Sequence, residues 1–167
     1  IIIVDPKHEY PRQNYEKGTG VITVKFQRYI QQAKTNNYIE GMRQTQKAKK
    51  SGAEEPLYYS DSQVFEGSNS NIFAVISNKL LTPKSNILSG ITREVLLKIL
   101  KLDIPVEFKD FSLNQLLKAE EAFMTGSGKE ITPVVKIDGK KVRDGKVGKV
   151  TKEVMRQFRE YTHSDKW

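Results

Sequence analysis

Glu66-Gly67-Ser68-Asn69-Ser70-Asn71-Ile72-Phe73 places one carboxylate at the head of a run of small and amide side chains, just where an apolar strand begins. Polar and glycine positions in a row weaken a strand, so a purely structural role gains little from them. A site that must bring backbone and short donors against a flat polar ligand gains more. A solvated polar loop uses the same residues, and the octet alone leaves both readings open. Its company favours a site: Lys34 lies upstream, and Ser89-Gly90-Ile91-Thr92-Arg93 downstream.

Outward from the octet, residues 71–77 form a strand. Pro56-Leu57-Tyr58-Tyr59 and Val64-Phe65 flank Ser60-Asp61-Ser62-Gln63 as a hairpin. Residues 21–26 alternate as a strand, and residues 38–50 carry Ile39, Met42 and Ala48 on a helical repeat that stops at Ser51-Gly52. A turn at Asn78-Lys79 leads to a short strand ending at Thr82-Pro83. Residues 91–102 are the best helix, with Val95, Leu96, Ile99 and Leu100 on one face. A strand over 105–108 and a helix over 112–119 follow. Strands over 122–125 and 131–137 then surround a Gly-Ser-Gly loop. Asp138-Gly139 signals a type I′ hairpin, and residues 150–161 form the closing helix. Short strands mixed irregularly with helices predict an α+β fold.

The chain opens on Ile1 with a strand-like Ile-Ile-Ile-Val, followed by a connection rich in Pro, Gly and charge over residues 5–20. Residues 1–10 are expected to be the last strand and connector of a preceding domain, and residues 11–167 one large domain.

With 167 residues, 37% of them hydrophobic, the chain can bury one substantial core. No apolar run approaches the ~20 residues of a membrane span. Zero cysteines exclude a disulfide framework, a thiol nucleophile and thiolate metal sites, and fit a cytoplasmic protein. No metal site is expected. The formal charge of +8 comes from 28 Lys and Arg against 20 Asp and Glu, spread along the chain. Its densest cluster, Lys47, Lys49 and Lys50, falls on a surface helix. No helix-turn-helix signature or interleaving of aromatic with basic residues supports nucleic-acid binding. A smaller anion, such as a phosphate-bearing cofactor, is compatible with the charge.

Helix starts attract anions because their first N–H groups are unpaired and the macrodipole is positive there. Ser89-Gly90-Ile91-Thr92 opens the strongest helix, with Gly90 permitting close approach and Thr92 adding a hydroxyl. Plain N-capping by Ser89 explains the same residues. Gly126-Ser127-Gly128-Lys129 offers a second cradle of backbone amides, though its spacing is not that of a phosphate-binding GxxxxGK loop. No local property singles out Lys34. Together these are the parts a pyridoxal-phosphate enzyme needs: a lysine for the aldehyde, a carboxylate for the pyridinium nitrogen, and donors for the phosphate.

At this point the chain resembles the fold-type IV (class IV) aminotransferases, which include branched-chain and D-amino-acid aminotransferases and aminodeoxychorismate lyase. The resemblance rests on Lys34-Thr35-Asn36-Asn37-Tyr38, the octet at Glu66, Ile87-Leu88-Ser89-Gly90-Ile91-Thr92-Arg93, and Lys129-Glu130-Ile131-Thr132-Pro133-Val134, in order. Asp138-Gly139 and Gly145-Lys146-Val147-Gly148 also fit. It implies the cofactor-binding C-terminal domain of the D-amino-acid aminotransferase-like fold, with pyridoxal 5′-phosphate as cofactor.

Lys34 is then the Schiff-base lysine and proton carrier, and Glu66 the partner of the pyridine nitrogen. Tyr38 sits near the phenolic oxygen and Leu88 against the ring. Ile91, Thr92 and Ser127 bind phosphate, while the amides of Gly128 and Lys129 lie near the substrate carboxylate. The implied reaction moves an amino group between an amino acid, branched-chain or D, and a 2-oxo acid, in a homodimer. Elimination as in aminodeoxychorismate lyase, or a truncated non-catalytic domain, are the alternatives. The family's N-terminal domain, which supplies an arginine to the phosphate, has no counterpart in these residues.

Overall fold

The computed structural model describes residues 10–35 and 38–164. The strand expected over residues 1–4 and the pair Asn36-Asn37 lie outside them. Five helices and nine strands follow in the order α1 (Arg12–Lys17), β1 (Thr19–Lys25), α2 (Ile39–Lys50), β2 (Glu55–Ser60), β3 (Gln63–Gly67), β4 (Asn71–Ile76), β5 (Lys79–Thr82), α3 (Ile91–Ile99), β6 (Val106–Phe108), α4 (Leu113–Leu116), β7 (Glu121–Gly126), β8 (Glu130–Ile137), β9 (Lys140–Lys141) and α5 (Lys149–Thr162). The α+β expectation holds.

Most turns follow the local chemistry. Asp138 and Gly139 both have positive φ, 49° and 76°, as a type I′ turn requires, and β9 pairs back onto β8. Asp61-Ser62 and Ser77-Asn78 adopt the same left-handed pair without glycine. One helix is new: α1 has no buried residue, so no apolar repeat marks it, and the sequence there reads as a connection. Another is shorter than its repeat. α3 ends at Ile99 because Leu100 turns extended, with φ −63° and ψ 129°. Gln157 of α5 then binds both backbone groups of Lys101, at 2.9 and 2.8 Å.

The sheet runs β3-β2-β1-β8-β7-β4-β5-β6, and β3 also pairs with β4. That extra pairing closes a ring of six strands, which removes two open edges. Its register is a single pair, Glu66 opposite Asn71. Two parallel ladders, β1–β2 and β1–β8, lie on one side of the ring, while β4–β7 and β7–β8 are antiparallel.

Alternation along the strands sorts two cores. Val21, Leu57, Val64, Ile72, Ala74, Ala122, Met124, Val134 and Ile137 bring all six ring strands into one cluster, joined by Phe111 and Leu116 around α4. The opposite parity of β4 and β7 (Phe73, Val75, Phe123) packs with Ile131 against Leu96 of α3 and Val154 and Phe158 of α5. Phe73 and Phe123 stack with centroids 5.0 Å apart. Asn71 and Thr125 extend this second row toward the start of α3, directly opposite one another. Among the described residues no helix is long and apolar enough to cross a membrane.

Candidate active site

A cavity of about 370 Å³ opens where β3 passes into β4, beside the start of α3 and the loop after β7. Lys34, Tyr38, Glu66, Leu88, Ile91, Thr92, Ser127 and Gly128 all line it, so residues scattered over nearly a hundred positions share one space. Arg28, Asn71 and Thr125 line it too. Lys34, Ile91, Ser127 and Gly128 are exposed at its rim, whereas Glu66, Asn71, Thr92 and Thr125 are buried.

Glu66, one residue before the end of β3, has only 4% of its surface exposed. Arg28 donates Nε and Nη2 to Oε1, at 2.8 and 2.5 Å. The Leu88 amide donates to Oε2 at 2.9 Å, with the Asn71 amide group at 3.5 Å. Burial pushes the Glu66 carboxyl above the usual glutamate range, while Arg28 and the Leu88 amide pull against that rise. The product is a carboxylate more basic than normal, facing a cavity and backed by a cation.

Asn71 connects this corner to the next. Its Nδ2 donates to Leu88 O at 2.7 Å, and its Oδ1 accepts from Gly90 N at 3.1 Å. Both segments flanking Ser89 are thereby fixed to β4. A Cβ at Gly90 would stand 2.3 Å from Asn71 Oδ1, so only glycine permits this approach. Ser89 does not cap the helix. Gly90 is the N-cap residue of α3 and no side chain caps it, while the Ser89 hydroxyl bonds Glu94 instead. The first turn of α3 thus meets the cavity without a side-chain cap.

The loop after β7 departs from expectation at Lys129, which does not line the cavity. Its amide donates to Gly126 O at 3.2 Å within the turn, so that amide is not free for a substrate carboxylate. Its ammonium bonds Glu55 Oε1 at 2.5 Å, with Glu54 at 3.9 Å. Glu55, at the start of β2, also accepts from Ser68 Oγ at 3.0 Å, Asn69 N at 3.1 Å and Ser70 Oγ at 2.7 Å. One buried carboxylate therefore ties the Ser68–Ser70 turn to the Gly126–Lys129 loop, both of them walls of the cavity.

Sequence reasoning passed over Arg28, Glu55 and Thr125, and saw Asn71 only as a member of the octet. Arg28 and Glu55 sit among many like charges, and nothing local marks which are buried. Thr125 had a weak signal: it ends an apolar strand immediately before Gly126-Ser127-Gly128.

Against known proteins, the chain superposes on the crystal structure of Escherichia coli branched-chain amino acid aminotransferase with a TM-score of 0.85 at 30% identity, covering 98% of this chain and 58% of that one. Branched-chain aminotransferase from Thermobaculum terrenum, solved in its PLP form, gives 0.81 at 27% identity, covering 92% and 53%. The fold is that of these aminotransferases. Residues 1–137 match the family described as Amino-transferase class IV, and the chain belongs to that family. It is 32% identical over 168 residues to D-alanine aminotransferase of Staphylococcus aureus (strain COL), covering 98% of this chain and 60% of the relative. A probable branched-chain-amino-acid aminotransferase of Aquifex aeolicus (strain VF5) is 40% identical over 102 residues, 59% of this chain and 33% of that one. The chain thus spans about three fifths of the length of the D-alanine aminotransferase it matches.

Proposed function

We propose that this chain is the cofactor-binding part of an aminotransferase that moves an amino group between an amino acid and a 2-oxo acid with pyridoxal phosphate. One observation carries the reading: a single cavity gathers a lysine, a buried carboxylate of raised basicity and an uncapped helix start. The residues fit the group. Gly90 and Gly126 keep side-chain bulk out of the walls, since a Cβ on either would press on Asn71 Oδ1 or Asn69 O. The Thr125 hydroxyl is buried at the cavity and has no partner among the described residues.

When bound, the cofactor supplies an aldehyde carbon for amino-group attachment and a protonated ring that withdraws electrons. Lys34 would be the nucleophile that holds that carbon and the base that carries a proton at the reacting centre. Glu66 holds a proton against the ring nitrogen, and its raised basicity strengthens that charge-assisted hydrogen bond. Arg28 keeps the carboxylate ionised and oriented. Tyr38 would hold the phenolic side of the cofactor and Leu88 its ring. The first amides of α3 at Ile91 and Thr92, with Ser127, take the phosphate, and the Gly128 amide takes the substrate carboxylate. Lys129 has no contact role in this reading, because its amide and ammonium are engaged elsewhere. The relatives' names support a D-amino or branched-chain amino acid as donor. Exposed Tyr29, Ile39, Met42 and Ile91 support an apolar partner surface, as in a homodimer.

The test is an absorbance titration with pyridoxal phosphate. The protein should develop the near-visible band of a lysine-bound cofactor, and Lys34→Ala should lose it. A wild-type protein that folds but gives no band overturns the reading.

A further inference from the structure

Thr125 is 2% exposed, lines the cavity, and its Oγ1 has no hydrogen-bond partner among the described residues. A buried hydroxyl left unpaired is unfavourable, and such groups in native proteins call for an explanation. Register shows where it faces. Thr125 stands opposite Asn71 on the β4–β7 ladder, and Asn71 stands opposite Glu66. Side chains directly opposite on an antiparallel pair share a face. Asn71 spends its own amide on Leu88 O and Gly90 N, so this face looks at the start of α3. Two strand spacings separate Thr125 from Glu66, roughly 10 Å. If Glu66 marks the ring-nitrogen end of a bound cofactor, Thr125 lies toward the opposite pole. The uncapped start of α3 and the Gly126-Ser127 turn line the same cavity, and Thr125 leads straight into that turn.

We infer that Thr125 is a further cofactor-binding residue, its hydroxyl donating a hydrogen bond to a phosphate oxygen from the floor of the cavity. This rests on the pyridoxal-phosphate reading above. It also accounts for the unpaired hydroxyl: the partner is the ligand. Stability and affinity should then move in different directions on its removal. Thr125→Val keeps the shape and deletes only the hydroxyl, so the ligand-free protein should be as stable as wild type or more so.

The experiment compares wild type, Thr125→Val and Thr125→Ser in binding pyridoxal phosphate, inorganic phosphate and phosphate-free pyridoxal, with ligand-free melting temperatures alongside. Thr125→Val should bind pyridoxal phosphate and inorganic phosphate about tenfold more weakly. It should bind pyridoxal unchanged and melt no lower than wild type. Thr125→Ser should keep wild-type affinity for all three. Unchanged phosphate and pyridoxal phosphate binding in Thr125→Val overturns the inference alone. So does an equal loss for all three ligands with a lowered melting temperature, which marks a structural role. Failure of the wild type itself to take pyridoxal phosphate overturns the underlying reading and this inference with it.

Discussion

Glu55 and Glu66 are both glutamates, sit on adjacent strands, and expose 2% and 4% of their surface. Each is bonded to a cation, Lys129 or Arg28. They nonetheless serve different ends, and the difference lies in the donors. Glu55 is saturated from within: two serine hydroxyls, one amide and one ammonium cover both oxygens, and it does not line the cavity. Glu66 lines the cavity, its Oε2 has one good amide donor and one long contact, and its guanidinium partner is 24% exposed. A closed buried carboxylate holds walls together. An open one, backed by a cation that can hydrate, is available to a ligand.

The largest effect should come from breaking the closed member. Glu55→Ala leaves the Lys129 ammonium, 13% exposed, without its close partner, and frees three further donors. Removing one partner of a buried pair costs about 3–5 kcal/mol. Urea denaturation should show that loss as a lower midpoint with an unchanged slope. A loss under about 1 kcal/mol would mean that Glu55 is as open as Glu66, and the contrast would collapse.

Glu66→Gln should do much less to the fold and much more to the ligand. The glutamine carbonyl can still accept from Leu88, and Arg28 is 24% exposed against 13% for Lys129, so the loss of stability should be smaller than for Glu55→Ala. The pH dependence sharpens this. The folded-state pKa of Glu66 is raised by burial, so the folded protein holds the proton more tightly than the unfolded chain. The penalty for burying the charge is full above the raised pKa and is relieved as pH falls through it toward the ordinary value, about 4.3. Wild type should gain stability relative to Glu66→Gln on acidification through that window. Cofactor affinity should fall in the variant at neutral pH, since a neutral amide cannot supply the charge-assisted bond. A wild-type-to-variant difference flat in pH would show that Glu66 carries no burial penalty.

The contrast between the two carboxylates was only half readable from the chain. Glu66 stood out because five small polar residues follow it, a pattern with short sequence range. Lys34 came through its order among the other motifs rather than any local property, whereas a helix start and a Gly-Ser-Gly turn marked Thr92 and Ser127. Glu55, preceded by another glutamate and followed by Pro56, looks like a loop charge. Its role depends on Lys129, 74 positions away, and on the parallel β1–β2 ladder that buries β2. Parallel pairing leaves no turn signature, because the strands are joined through a helix rather than a tight loop. Hairpins such as Asp138-Gly139 carry their geometry in two residues and were legible for that reason. The single Glu66–Asn71 pair that closes the ring follows from neither periodicity nor turn chemistry, although both residues lie within the octet.

A smaller effect can weigh the two carboxylates against each other without disturbing either cation. Tyr58 on β2 is 2% exposed, and its phenol is pushed up to about 12, first by burial, then by the Glu55 charge, with Glu66 contributing less and Arg28 opposing. The folded protein therefore holds the phenolic proton more tightly than the unfolded chain does. The resulting stability is fully present below pH ~10 and is lost as pH rises toward 12. Tyr58→Phe should flatten that alkaline decline. Phenolate absorbance should then rank the neighbours: Glu55→Gln should bring the Tyr58 transition down toward 10, and Glu66→Gln should lower it less. The reverse order would place the stronger uncompensated field at Glu66, which requires Arg28 to neutralise its carboxylate less completely than Lys129 neutralises Glu55. The open carboxylate would then face the cavity with more of its charge exposed than its bond to Arg28 implies.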